Sequence, residues 1–177
     1  VEDWGGNLQC VSESLKDDED IVRRAVRTRG EALEYASERL RNDPEIVAIA
    51  VNNAGYSLEY AGEELKNDKG IVLASVTSNG YALELASERL KNDLEIVQVA
   101  LKEDFELIRF VNEELKYHPE IILAAIRSDG EALKFASTDN ENSIHNDYFF
   151  LANYSIQILT NTTNGQKTFV ELEREKN

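Results

Sequence analysis

A leucine recurs at Leu15, Leu40, Leu65, Leu90 and Leu115, always at the same interval, with no insertion between Leu15 and Asp139. That regular step leaves the chain few options. A unit so short cannot bury a hydrophobic face alone, so neighbouring units must stack and share a core. The period predicts an all-α fold: a right-handed α-solenoid of five 25-residue helical-hairpin repeats over 15–139, its hand taken by analogy with other helical-hairpin arrays. Residues 1–14 read as a partial repeat, because Gly5, Leu8 and Val11 fall one period before Gly30, Leu33 and Ala36. Trp4 then packs at the frayed end of the array.

Within the unit, position 1 is the leucine and position 4 is Asp18, Asp43, Asp68, Asp93 and then His118. Pro44 and Pro119 follow at position 5. A carboxylate that accepts from free backbone N–H groups, followed by proline, starts a helix. His118 reads as a substituted cap. Ile46, Val47, Ala50 and Val51 then share one helical face. Gly30, Gly55, Gly80 and Gly130 at position 16 read as stops in the left-handed conformation that glycine tolerates. On that reading Gly55→Val destabilises more than Ser57→Ala. A second helix of about ten residues, roughly 15 Å long, is expected to follow, with Ala82, Leu83, Leu85, Ala86 and Leu90 facing the core in the third repeat. Glu38, Glu63, Glu88 and Glu113 stand three residues before Arg41, Lys66, Lys91 and Lys116 and predict surface ion pairs.

In the fourth repeat Phe105 stands where glycine is expected. This predicts a local irregularity: either Asp104 takes the left-handed position or the first helix runs on to Phe105. Leu107, Ile108, Phe110 and Val111 keep the apolar face. After Asp139 the period fails. Residues 140–177 form a connector followed by a capping segment or the start of another domain. Asn164-Gly165 between β-branched runs suits a hairpin, and a capping helical pair is the alternative.

The chemistry-bearing residues are sparse. His118 and His145 are the only histidines, and Cys10 is the only cysteine, so neither a zinc spacing nor an intrachain disulfide is present. The acidic run Asp17-Asp18-Glu19-Asp20 lacks the calcium-loop pattern and reads as a charged helix start. No serine has a nucleophile-elbow context. Asn153 and Asn161 match the glycosylation pattern without further support. No catalytic residue, metal site or cofactor is expected, and the chain reads as a non-enzyme. Acids outnumber bases 34 to 19, giving a formal charge of −15. That balance argues against nucleic acid and anionic membranes, and it favours a protein partner with a basic patch. No apolar run reaches the roughly 20 residues of a membrane helix. The chain has no initiator methionine, so it reads as a fragment.

The stretches LRNDPEIVAIAVNNAGYSLEYAGEEL, from Leu40 to Leu65, and LKNDKGIVLASVTSNGYALELASERLKND, from Leu65 to Asp93, resemble the tandem repeats of a family known as domain of unknown function 4116. The resemblance covers 15–139 well and 1–14 partly, and it does not extend to 140–177. It implies α-helical repeats and brings no catalytic residue with it. By association it also implies a host-directed bacterial effector as a candidate parent.

A non-catalytic protein-interaction scaffold follows from the architecture, placed in the cytoplasm or in a host cytosol. The alternative is a regulatory or targeting arm of a larger multidomain enzyme. The candidate docking surface is the polar face of the second helices, where positions 17, 20 and 24 align as i, i+3, i+7. These are Tyr56, Glu59 and Glu63, then Tyr81, Glu84 and Glu88. Tyrosines ringed by carboxylates suit an arginine- or lysine-bearing partner. The same residues also fit ordinary solvated helix faces. Position 20 changes sign along the array, from Glu34, Glu59 and Glu84 to Arg109 and Lys134, which would orient a dipolar partner.

Overall fold

The computed structural model describes residues 7–116 together with 118, 120, 121 and 124. Trp4, Gly130, Lys134, His145 and the whole of 140–177 lie outside the described residues, as do the Glu113 side chain and most of the fifth repeat.

Four ten-residue α-helices start one period apart: α1 (Glu19–Thr28), α2 (Pro44–Asn53), α3 (Lys69–Ser78) and α4 (Leu94–Glu103). Each begins at its capping aspartate. Asp43 Oδ1 accepts from the N–H groups of Glu45 and Ile46 at 2.9 and 3.1 Å, and Asp18 and Asp68 accept from Ile21 and Ile71. His118 does the same with its ring, Nδ1 accepting from the Glu120 N–H at 3.3 Å. The inward stripe Ile46, Val47, Ala50 and Val51 is wholly buried. No strand occurs among the described residues.

The element after each α-helix is not a second α-helix of ten residues. It is a six-residue 3-10 helix: Gly30–Tyr35, Gly55–Tyr60, Gly80–Leu85 and Phe105–Phe110. The chain then extends, as at Ala36 (φ −71°, ψ 156°), and makes one more short helical turn, such as Glu38–Arg41 or Leu90–Asn92. The buried residues Leu33, Ala36 and Leu40 fall at i, i+3, i+7, a spacing that imitates an α-helical face. Counted from that extended residue, the structural units are 11–35, 36–60, 61–85 and 86–110, each a short turn, an α-helix and a 3-10 helix. The extended step exists because backbone groups there bond to the preceding unit. The Ser37, Gly62 and Ser87 N–H groups donate to the carbonyls of Lys16, Arg41 and Lys66 at 2.9, 3.0 and 3.0 Å. A continuous α-helix would have kept those donors for itself.

The position-16 glycines are also not left-handed. None of Gly30, Gly55 or Gly80 has a positive φ. The α-helix is stopped one residue earlier by an extended residue, Ala54 in the second repeat (φ −144°, ψ 103°). Glycine is required by proximity: a Cβ on Gly55 would strike the Ser75 carbonyl oxygen and come within 2.9 Å of the Asn79 backbone nitrogen. A Cβ on Gly30 would lie 2.5 Å from the Ala50 carbonyl oxygen. The fourth repeat accordingly shows no irregular joint. Helix α4 ends at Glu103, Asp104 is extended (φ −151°, ψ 123°) like Ala54, and Phe105 opens the 3-10 helix in glycine's place. The left-handed turn expected there had no role to fill.

The pieces pack in two layers. Consecutive α-helices touch along one side, consecutive 3-10 helices touch along the other, and each of the first three 3-10 helices rests on the α-helices of its own and the next unit. Leu33, Leu58, Leu83 and Leu107 meet Val47, Val72 and Val97 in a single continuous core. Two buried serines interrupt it. The Ser75 hydroxyl donates to the Gly55 carbonyl at 2.7 Å, whereas the Ser57 Oγ has no hydrogen-bond partner.

Polar contacts tie the units together unevenly. Between the first and second, the Gly30 N–H donates to Asn53 Oδ1 at 2.7 Å and Arg23 bridges Glu19 and Glu45. At the same joint Asp17 accepts from the Ser37 hydroxyl and from Arg39 Nε. Between the third and fourth, the Gly80 N–H donates to Glu103 Oε2, and Lys69 pairs with Asp93 and Glu95, each at 2.9 Å. There Asn67 accepts from the Ser87 hydroxyl and from Arg89 Nε. Of the expected pairs along the short turns, Glu63–Lys66 and Glu88–Lys91 form at 2.8 and 2.9 Å. Glu38 and Arg41 do not pair among the described residues, and Arg41 Nε is buried without a partner.

Candidate functional site

The 3-10 layer carries the residues singled out from the sequence. A 3-10 helix has three residues per turn, so side chains at i and i+3 eclipse. Positions 17 and 20 therefore stand one above the other more closely than on an α-helix. Tyr56 sits over Glu59, and Tyr81 over Glu84, and all four are exposed. Tyr56 and Tyr81 are 40% and 38% exposed, unusual for rings of that size among the described residues.

Glu63 and Glu88 do not belong to this ridge. The chain extends at Ala61 and Ala86 before reaching them, and each is committed to the lysine three residues on. The expected i, i+3, i+7 alignment needed an unbroken α-helix, and the extended step removes its third member.

The two tyrosines differ in their surroundings. The Tyr81 hydroxyl donates to Asp104 Oδ2 at 2.5 Å across to the next unit. That bond, with the charge of Asp104, pushes the Tyr81 hydroxyl above its ordinary 10.0 and holds the Asp104 carboxyl below 3.8. One period before Asp104 stands Asn79, whose Oδ1 accepts from the Tyr81 N–H instead. The Tyr56 hydroxyl makes no hydrogen bond to another described residue.

One column at this surface escapes a reading of the sequence alone. Position 21 holds Tyr35, Tyr60, Leu85 and Phe110, all half-buried against the core rather than within it. An α-helical register assigns them to the interior. Glu34 raises the Tyr35 hydroxyl above 10.0 through their hydrogen bond. Burial raises that of Tyr60, with Glu34, Glu59, Tyr35 and Glu31 adding to the effect. In the fourth unit the guanidinium of Arg109 lies over the Phe110 ring, 4.7 Å from its centroid, with Nη1 3.7 Å from Glu106. The available signal is an aromatic residue directly after position 20 in three of four units.

Such a surface can hold cationic and apolar groups by contact. Among the described residues no three His, Cys, Asp or Glu side chains come together as a metal site. None of their helices is long and apolar enough to cross a membrane.

No curated protein and no solved structure matches the chain. A family does, in overlapping tandem segments of which two, 18–66 and 68–116, lie end to end. Over residues 1–41, 18–66, 68–116 and 100–140 the chain matches the family described as Domain of unknown function (DUF4116), and it belongs to that family.

Proposed function

We propose that this chain is a non-catalytic protein-interaction scaffold, a right-handed solenoid of five 25-residue repeats whose 3-10 layer docks a basic protein segment. The observation that carries the reading is the exposed ridge of Tyr56 and Tyr81 standing over Glu59 and Glu84. Large rings held in water at equivalent places in adjacent units are available as anchors, and flanking carboxylates favour lysine or arginine in the partner. The excess of acids, 34 against 19 bases, steers a basic partner toward the array. The shared core beneath the ridge holds the anchors at fixed spacing, which limits the ordering cost of binding.

The test is the double variant Tyr56→Ala with Tyr81→Ala, first checked for an unchanged helical signal and melting midpoint. A basic partner identified by crosslinking to the wild-type chain should bind the variant at least about tenfold more weakly, as expected for two aromatic anchors. Unchanged affinity would remove the ridge from the interface. Salt should weaken the wild-type complex mainly by slowing association.

A further inference from the structure

We propose that the ridge of Tyr56 and Tyr81 is a binding surface for a proline-rich segment in the polyproline II conformation, with an arginine at every third residue. This rests on the scaffold reading and deepens it by naming the partner's backbone and its side-chain pattern.

Two rows of side chains run across the units on the 3-10 layer. Position 17 supplies Tyr56 and Tyr81, the most exposed aromatic rings among the described residues, and position 20 supplies Glu34, Glu59 and Glu84. The helices that carry the tyrosines, Gly55–Tyr60 and Gly80–Leu85, pack directly side by side. Beneath them α2 packs against α3, and neighbouring packed helices stand about 8–10 Å apart. Both rows take that step from unit to unit. Tyr81 spans it: the hydroxyl at the tip of its ring reaches Asp104 of the next unit at 2.5 Å. The same bond holds the ring in place before a partner arrives.

Few backbones repeat at that interval. A strand returns a side chain to the same face after about 6.7 Å, too short for one residue per unit. An α-helix advances about 10.5 Å between i and i+7, so it offers each row one residue in seven. Polyproline II advances about 9 Å per turn of three residues, so each of its edges places one residue over every unit. An edge of prolines then lies on the tyrosine row, ring against ring, and the next edge lies on the glutamate row, where arginine answers the carboxylates. Such a segment is extended before it docks and loses little freedom on binding. The rows also set the ends of the site. Position 17 is Glu31 before Tyr56 and Glu106 after Tyr81, and position 20 turns to Arg109 in the fourth unit. Arg109 repels an arginine there, so the site takes about two turns of the partner.

The probe is a capped peptide of three Arg-Pro-Pro triplets, titrated into the full chain and followed on the Tyr56 and Tyr81 ring signals by NMR. It should shift both rings saturably, and added salt should weaken it. A peptide of three Arg-Gly-Gly triplets, equal in charge but flexible, should bind at least about tenfold more weakly. Three Arg-Pro-Pro-Pro blocks keep the stiffness and lose the three-residue period, and they should bind about fivefold more weakly. Glu59→Gln with Glu84→Gln should remove the preference for arginine triplets over Gln-Pro-Pro triplets, with the fold intact by circular dichroism. Equal binding of the glycine peptide, equal binding of the four-residue blocks, or no shift at either ring would each overturn the site. If the triplet peptide fails while Tyr56→Ala with Tyr81→Ala still weakens the crosslinked partner, the polyproline site falls and the scaffold reading stands. If the peptide binds while that double variant leaves the partner's affinity unchanged, the polyproline site stands and the partner docks elsewhere.

Discussion

The joint between the first and second units and the joint between the second and third have the same backbone and different chemistry. Ser37 and Gly62 donate equivalent N–H groups to Lys16 and Arg41, at 2.9 and 3.0 Å. At the first joint, side chains add to that bond at three levels, through Arg23 with Glu45, Gly30 with Asn53, and Asp17 with Ser37 and Arg39. At the second, Gly62 leaves no side chain, and the space its Cβ would take is filled by the Asn42 amide. Ser75 bonds to the Gly55 carbonyl there, and no ion pair joins α2 to α3 among the described residues. The joint between the third and fourth units repeats the first, with Lys69, Glu103, Asn67, Ser87 and Arg89 in the corresponding roles. Across these three joints the backbone repeats each time, whereas the side-chain ties of the first recur at the third. At the next joint Gln98 Nε2 donates to Glu120 Oε2 at 2.6 Å, at the register positions of Arg23 and Glu45, so the pattern is not a strict alternation. The family segments 18–66 and 68–116 meet at the second joint. The first two joints share a close glycine approach, Gly30 on Ala50 and Gly55 on Ser75; the first adds polar knitting to it, and the second joins with far less.

The comparison is broken most directly by adding volume. Gly55→Ala should cost on the order of 3 kcal/mol, since the new methyl meets the backbone of α3, which cannot move aside. Gly80→Ala should cost only about 1 kcal/mol, because its nearest neighbours are the ends of the Glu103 and Leu107 side chains. Paired urea denaturation curves check this, and equal midpoints for the two variants would erase the distinction.

Ser57→Ala probes the first joint from inside, where its Oγ stands 2.7 Å from the place a Gly30 Cβ would take. Removing a buried hydroxyl that has no partner should stabilise by about 1 kcal/mol. Gly55→Val, by contrast, should destabilise even more than Gly55→Ala, for steric reasons and not through a left-handed φ. A loss of stability in Ser57→Ala would mean that the hydroxyl is satisfied.

Removing charge should reverse the ranking. Arg39→Ala takes away the guanidinium that reaches Asp17 Oδ1 at 3.0 Å and the Asp17 carbonyl at 2.7 Å. It should lower the melting midpoint slightly, and less so in high salt. Glu64→Ala, at the equivalent place in the second joint, should leave the midpoint where it was. Equal shifts would argue against a chemistry that differs between these two joints.

The smallest effect concerns pH. Tyr81 is raised and Asp104 lowered by their mutual hydrogen bond. The raised tyrosine contributes stability that is present below its unfolded value near 10 and is lost as pH rises through its folded value. The lowered aspartate contributes stability present above its unfolded value near 4 and lost as pH falls through its folded value. Tyr81→Phe should therefore lower the melting midpoint slightly at neutral pH and reduce the decline on either side. Tyr56→Phe should be flat across the same range.

Much of this is legible because it is written into the period. The capping aspartates, His118 among them in role, and the buried stripe of α2 follow from spacing and side-chain chemistry alone. The second element is not legible, because Leu33, Ala36 and Leu40 keep an α-helical interval although the chain extends between them. The bond that imposes the extension, Ser37 to Lys16, runs to another unit and leaves no local trace. The same extension removes Glu63 and Glu88 from the ridge and brings Tyr35 and Tyr60 to the surface. Gly55 stands out in the register, but for steric crowding and not for a left-handed turn. A sequence shows that a side chain is missing, and only neighbours show what would have struck it.

The unequal joints limit how the first four units can be spliced. Excising 40–64 alone would set the first unit against the third. Arg23 would then face Gly70 where Glu45 had been, and Gly30 would face Ser78 in place of Asn53. Excising 40–89 would set it against the fourth, where Glu95 and Glu103 stand in those places, as they already do for Lys69 and Gly80. A splice of one unit leaves mismatched ends, and a splice of two restores them. Within the first four units, shortening without loss is thus a matter of removing two.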